Sequence, residues 1–374
     1  PAPWTLPSHV SMFTGLYPSE HGIHETKELR EEELRRYSRL RMNTLENNLL
    51  RKYKDENYNT ILISANIGFV TPWTGFEADR NILIDPITSS ILTDIDVEAQ
   101  KLGGRTSFII YKLRKKNIIE LLKAAQLYLI RRLKTFPKYI SEHFVREKGG
   151  SLAVSLIKTL RLEEPFFLFV NLMESHNPYF RLGEEKKYNC TILKWLLTGS
   201  INPQDRRFWR TYPHHAVRAT RRAIELVSTI LQKANRSNTL IIITSDHGEL
   251  LGDDGASHIY SLKDGNLRVP LYVKYPEGWK KKKQKTYISL TDIPKILDPS
   301  TDAIGSHIVM AETFGVHLDQ TFQRCGLGNP TANLFYHKIR ILGNKIDILF
   351  NKTLEQVEYA KGERAQEVLT KLLH

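Results

Sequence analysis

Three short runs constrain the fold of this chain more than anything else in it: "YNTILISA" (58–65), "EPFFLFVNLM" (164–173) and "NTLIIITSD" (238–246). Each is a brief, β-rich apolar stretch that ends in polar residues. That pattern predicts strands buried on both faces, since a half-exposed strand would alternate apolar and polar residues. A helical pattern, "AVRATRRAIELVSTILQKA" (216–234), leads directly into the third run. Strands alternating with helices predict an α/β fold, a central mixed sheet flanked by helices. In such sheets ligands gather beyond the carboxyl ends of the strands. Two of these ends carry the most polar stretches nearby, "MESHNPY" (173–179) and "TSDHGELLGDDGASH" (244–258). After residue 298 the segments shorten. Strand-like "KIRILG" and "KIDILFN" and a final helix, "AQEVLTKLLH", predict a small α+β portion over 299–374, set against a larger domain over 1–298.

Composition narrows the classes. With 374 residues and 41% apolar content, the chain can bury a substantial core. No stretch reaches the ~18–20 apolar residues of a membrane span. The first residue is Pro, not Met, so the chain reads as trimmed at its N-terminus. Cys190 and Cys325 are too few for a disulfide scaffold or a Cys-based zinc cage; two ordinary thiols are expected, with one disulfide as the alternative.

The net charge of +13 is concentrated in a basic helical insertion, about residues 99–150. Between Lys101 and Lys148 stand 13 Lys and Arg against three Glu. Within it, "NIIELLKAAQLYLIRRLKTF" (117–136) spaces Ile118, Leu121, Leu122, Ala125 and Leu129 as a helix does. Such a helix can lie on an anionic membrane surface or face a polyanion. The simpler expectation is a helix packed on the protein with a solvated basic face. No nucleic-acid motif accompanies the charge, so no specific nucleic acid is expected.

The opening stretch, "PAPWTLPSHVSMFTGLYPSEHG", predicts a short helix. Pro7 suits its first turn, Val10 and Phe13 share a face, and Gly15 is a stop signal. Thr5 then sits just ahead of a helix N-terminus, where free N–H groups attract anions and ease ionisation of a hydroxyl. The alternative is that Thr5 or Ser8 merely caps the helix. Asp246 and His247 follow the third strand directly, a carboxylate and an imidazole that suit a divalent metal. The loop after Gly248-Glu249 can return His258 toward them, and His176 closes another strand.

Taken together, these pieces resemble the sulfatase-like family of the alkaline phosphatase superfamily. Thr5-Leu6-Pro7-Ser8-His9 is similar to the family's nucleophile motif, Cys/Ser-x-Pro-Ser-Arg, and Phe13 to Pro18 continues it. "EPFFLFVNLMESHNPY", "NTLIIITSDHGELLGDDG", "RVPLYVKYP" and "SLTDIPKIL" follow in the family's order. The resemblance implies an alkaline-phosphatase-like fold and hydrolysis of a phosphate or sulfate ester, an anionic substrate. It implies one or two divalent ions (Ca, Mn, Zn or Mg), with Thr5, Asp246 and His247 as ligands and Thr5 as nucleophile. His176 and His258 would bind the ester oxygens or protonate the leaving group. His9 and Asn66 would bind substrate. The family's first strand, ending in one or two metal-binding Asp, would lie upstream of Pro1.

Three departures shape the expected chemistry. Sulfatases use a formylglycine made from Cys or Ser, and a threonine cannot become one. Position 9 is His where the family has Arg. "SANIGFVTPWTGFE" (64–77) stands where a Gly-Lys-x-His segment grips sulfate, leaving Asn66 as its polar candidate. Thr5 therefore favours phosphoryl over sulfuryl transfer. A catalytically silent binding protein that kept the fold is the alternative.

Overall fold

The computed structural model describes residues 2–26, 29–86, 90–92, 98, 102, 105–122, 124–125, 147–179, 184–252, 254–315, 325 and 336–373. The chain forms two compact units. One comprises Tyr53–Glu185 and Phe208–Ala234; the other comprises Pro1–Lys52, Lys186–Arg207 and Asn235–His374.

The first of these units is built on a mixed sheet of strands β1 (Asn59–Ser64), β2 (Arg80–Asp85), β3 (Ser90–Ile91) and β4 (Phe166–Asn171), in the order β3-β2-β1-β4. β1 pairs in parallel with β2 and β4, so these three carboxyl ends point the same way, while β3 runs antiparallel to β2. One face of the sheet buries Ile61, Ile63, Ile82 and Ile84 against Ala153, Val154 and Ile157 of the helix Gly150–Thr159 and Leu226 of the helix Tyr212–Lys233. Gly149 makes that packing possible: a Cβ there would come within 2.5 Å of Ile84, and its φ of 98° suits glycine. Lys233 Nζ donates to the carbonyls of Ile157 and Lys158 at 3.0 and 2.7 Å, satisfying the open end of the shorter helix. The longer helix starts at Tyr212, four residues ahead of the sequence pattern, with Pro213 in its first turn.

In the other unit β5 (Ile241–Thr244) is followed by the short hairpin β6 (Leu250–Leu251) and β7 (Ala256–Ser257), then β8 (Leu271–Lys274). β5 pairs antiparallel with β8. β9 (Lys283–Gln284) and β10 (Ala303–Ile304) make a two-residue parallel pair. The C-terminal portion is an antiparallel sheet of β11 (Ile308–Thr313), β12 (Lys338–Gly343), β13 (Ile346–Asn351) and β14 (Gln356–Lys361). The helix Ala365–Leu373 covers it, with Ile339, Ile341, Ile348, Phe350, Ala365 and Leu369 as the core.

Two sequence expectations change here. β1 is buried after its first residue, but β4 and β5 are half-buried along their whole length, not enclosed. The cysteines are not free thiols: Cys190 and Cys325 form a disulfide across 135 residues of chain. No regularity in the sequence brings such distant positions together, because tertiary packing alone does so. Of the basic helix expected over 117–136, residues 123 and 126–136 lie outside the described residues. Among the described residues no helix is long and apolar enough to cross a membrane.

Candidate active site

The site is anchored by α1 (Thr5–Thr14), whose ten residues are all buried. Thr5 is its first residue, one position further in than the sequence pattern suggests, with Trp4 as N-cap and Gly15 in the left-handed conformation at the C-terminus. Neither Thr5 nor Ser8 acts as the cap. Ser8 Oγ instead donates to the Ala2 carbonyl at 2.6 Å, tying down the segment ahead of the helix. Trp4 Nε1 donates to buried Glu25 Oε2 at 2.6 Å, and Glu25 Oε1 accepts from the Phe314 amide at 2.9 Å. Thr5 is thus held from both sides in sequence.

Five of the seven expected residues converge. Thr5 Oγ1 lies 3.3 Å from His247 Nε2. The same nitrogen is 3.3 Å from Asp246 Oδ2, and His9 Nδ1 is 3.4 Å from that oxygen. His9, one turn along α1, also donates from Nδ1 to the Thr5 carbonyl at 2.9 Å. The ring of His258 stacks on His247 with centroids 4.4 Å apart. His258 Nδ1 is paired with Glu249 Oε2 at 2.9 Å, and both side chains are buried.

Local structure explains this convergence. β5 delivers Asp246 and His247 at its carboxyl end. Gly248 then presses against the next segment, where a Cβ would meet the Gly265 carbonyl oxygen at 2.0 Å. Its amide donates to the Asn266 carbonyl at 2.8 Å. The β6–β7 hairpin turns the chain back and returns His258. Buried Asn266 holds that return by donating to the His258 and Ser261 carbonyls at 3.1 and 3.0 Å.

Hydrogen bonding sets the state of each imidazole. His247 donates from Nδ1 to the Gly248 carbonyl at 2.8 Å, which leaves Nε2 as the acceptor facing Thr5. Burial lowers the His247 pKa and outweighs the opposing charge of Asp246, favouring the neutral ring. Burial also works against the charged form of His258. There the Glu249 carboxylate wins, by charge and hydrogen bond, and with Asp246 it raises the pKa. A ring biased toward the neutral, accepting form is therefore stacked on one biased toward the charged form.

A bare imidazole nitrogen that stands 3.3 Å from a carboxylate oxygen and 3.3 Å from a hydroxyl makes with them a donor set that fits a divalent cation. Nitrogen and carboxylate oxygen cannot hydrogen-bond each other when neither bears a proton. Among the described residues, no group of three or more His, Cys, Asp and Glu is placed to hold a metal. Asp246 and His247 are a pair completed by the Thr5 hydroxyl.

His176 and Asn66 belong to the other compact unit. Asn66 follows β1 and is buried; its Oδ1 accepts from the Phe69 amide at 2.9 Å, and its carbonyl accepts from Val70. His176 follows β4, where its Nδ1 donates to the Asn177 carbonyl at 2.8 Å and Lys148 Nζ donates to its carbonyl. Sequence reasoning gave no role to Trp4 and Glu25, the pair behind Thr5. Twenty-one residues separate them, so no local pattern announces the bond.

A model of the sulfatase family matches residues 1–298. This chain belongs to the sulfatase family. It is 28% identical over 149 residues to an ulvan-active sulfatase of Formosa agariphila, a match spanning 38% of this chain and 29% of that protein. Among solved structures it is similar to a 2-O GAG sulfatase, with a TM-score of 0.54 and 11% identity over 100% of this chain and 80% of the other. A Bacteroides thetaiotaomicron protein of glycosaminoglycan metabolism gives a TM-score of 0.51 and 12% identity over 98% and 79%. At these identities the likeness to solved structures speaks for the mixed α/β sulfatase fold alone.

Proposed function

We propose that this sulfatase-family chain belongs to a metal-dependent ester hydrolase in which Thr5 is the nucleophile, acting on phosphate or sulfate esters with phosphoryl transfer favoured. The observation that carries this reading is Thr5 Oγ1 at 3.3 Å from the accepting nitrogen of His247. Thr5 gives up its hydroxyl proton to solvent water, its Oγ attacks the phosphorus or sulfur of the anionic ester, and the bond to the leaving oxygen breaks as the new bond forms. His258, held cationic by Glu249, supplies a proton to that leaving oxygen. The N-terminus of α1 faces the charge that builds on the other oxygens. Thr5, Asp246 and His247 would hold the divalent ion, which polarises the ester and stabilises the Thr alkoxide. His9 is assigned to substrate binding; Asn66 and His176 lie in the other compact unit.

The preference for phosphate rests on how the covalent intermediate is released. A formylglycine hydrate has a second hydroxyl and expels sulfate by collapsing to the aldehyde. A threonine ester lacks that route, so water must attack it, which phosphoryl-threonine permits when surrounding positive charge stabilises the transition state.

The test compares a matched aryl phosphate and aryl sulfate, with divalent metal added, on the longest available form of the protein. Thr5→Ala should abolish turnover of both with the fold retained. Faster turnover of the sulfate would overturn the phosphoryl preference. Activity that survives Thr5→Ala but not Ser8→Ala would move the nucleophile, and no turnover of either ester would favour the silent binding protein.

A further inference from the structure

The helix Arg105–Arg114 is inside out. Its inward face carries Phe108 and Lys112, both buried, whereas Ile109, Ile110 and Leu113 are exposed. Lys112 is buried because it is paired: Nζ reaches Glu98 at 2.6 Å and also bonds Glu120. Glu120 sits in a second helical turn, residues 118–122, which begins after Lys116 adopts a left-handed φ of 53°. Asn117 Oδ1 accepts from the Glu120 amide at 3.3 Å and caps that turn. The Lys112–Glu120 pair therefore pins two helical pieces into a hairpin. On the second piece Ile118, Ile119 and Leu122 are 65%, 68% and 65% exposed.

Six large aliphatic side chains thus face solvent on one tip. The charged residues of the tip are cationic apart from Glu120: Arg114, Lys115 and Lys116 are all exposed at the bend. The surrounding segment, Lys101 to Lys148, holds 13 Lys and Arg against three Glu. In the described part of the helix expected over 117–136, Ile118, Ile119 and Leu122 face solvent. Exposed aliphatic side chains beside a cluster of cations match one environment well, the boundary between acyl chains and anionic headgroups.

We propose that this hairpin, residues 105–122, docks the protein on an anionic lipid bilayer, inserting Ile109, Ile110, Leu113, Ile118, Ile119 and Leu122 while Arg114, Lys115 and Lys116 meet the headgroups. The proposal is independent of the ester chemistry, because no catalytic residue takes part.

Vesicle co-sedimentation tests it without any activity assay. The wild-type chain is mixed with phosphatidylcholine vesicles and with vesicles holding about one-third phosphatidylglycerol. Binding should favour the anionic vesicles by about tenfold or more and weaken as salt rises. Ile118→Ser/Ile119→Ser/Leu122→Ser changes only exposed positions, so the fold is retained by circular dichroism while binding drops at least about tenfold. Arg114→Gln/Lys115→Gln/Lys116→Gln should remove the preference for anionic vesicles. Wild-type protein that stays in the supernatant overturns the proposal, as does binding unchanged by the serine variant. Retention on a soluble polyanion without vesicle binding also overturns it. So does a wild-type dimer that the serine variant dissolves, since a second copy would then cover the patch.

Discussion

Glu249 Oε2 stands 2.9 Å from His258 Nδ1, and the opposite side of the same imidazole lies stacked 4.4 Å from the ring of His247. One buried carboxylate therefore orients, and favours the charged form of, a ring packed against the imidazole that faces Thr5. Glu249 acts on the site through His258.

Glu249→Gln keeps the shape of that side chain and removes its charge. With the carboxylate gone, burial dominates and the His258 pKa falls. Turnover that needs the imidazolium should then be lost at lower pH than in the wild type. At neutral pH kcat is expected to fall about 10–100-fold, the usual effect of losing such a supporting partner, with KM changed less. A pH–rate profile measures both quantities. An unchanged alkaline limb would mean that Glu249 does not govern His258.

Acid should destabilise the fold through two other histidines. Burial, the largest cause in each case, pushes His21 down to about 3 and His215 down to about 4, and the Lys148 charge assists at His215. Unfolded, both take up a proton near the ordinary value of about 6.5. Below that pH the unfolded chain binds more protons than the folded one, so stability falls as pH falls. The loss is up to about 1.4 kcal/mol per pH unit for each ring and ends once the folded pKa is passed. Urea midpoints between pH 8 and 4 measure it. His215→Gln, which retains an amide donor for the Glu174 carbonyl, should flatten the slope below pH 6.5.

Reduction should weaken the unit that holds the site. The Cys190–Cys325 bond closes 135 residues of chain, and restricting so long a loop removes about 4–5 kcal/mol of chain entropy from the unfolded state. Both partners lie in the unit that also holds Thr5 and His247. Thermal unfolding with and without a reducing agent reads the effect. The melting temperature should drop on reduction, and Cys190→Ser should start low and not respond to reductant. A wild-type midpoint insensitive to reductant would count against a structural role for the bond.

Much of the site was legible because its signals are local. An apolar run ending in Asp-His announces β5 and its polar exit. Gly15 marks the end of α1, where its φ of 76° requires little of a residue without a side chain. The return of His258 follows from a loop short enough to be a hairpin. What stayed hidden depends on distant partners. Nothing near Trp4 specifies Glu25, and nothing near Cys190 specifies Cys325. The outward face of the helix 105–114 was hidden for a different reason. Spacing identifies an apolar stripe but not which side of it faces the protein, and here a paired lysine occupies the inward side.

Thr5 and His247 are separated by 242 positions, and Glu25 meets Phe314 across 289. A ribosome adding about 5–20 residues per second needs roughly 12–50 seconds to travel from one member of the first pair to the other. Throughout that interval α1, all ten of whose residues end up buried, has been made but lacks the later segments that pack on it, Leu290–Asp292 and Ile293–Leu297 among them. Loop closure across such a distance also slows the encounter once both halves exist. Thr5 thus leaves the ribosome well before His247, and the nascent chain must keep α1 from sticking elsewhere over that interval.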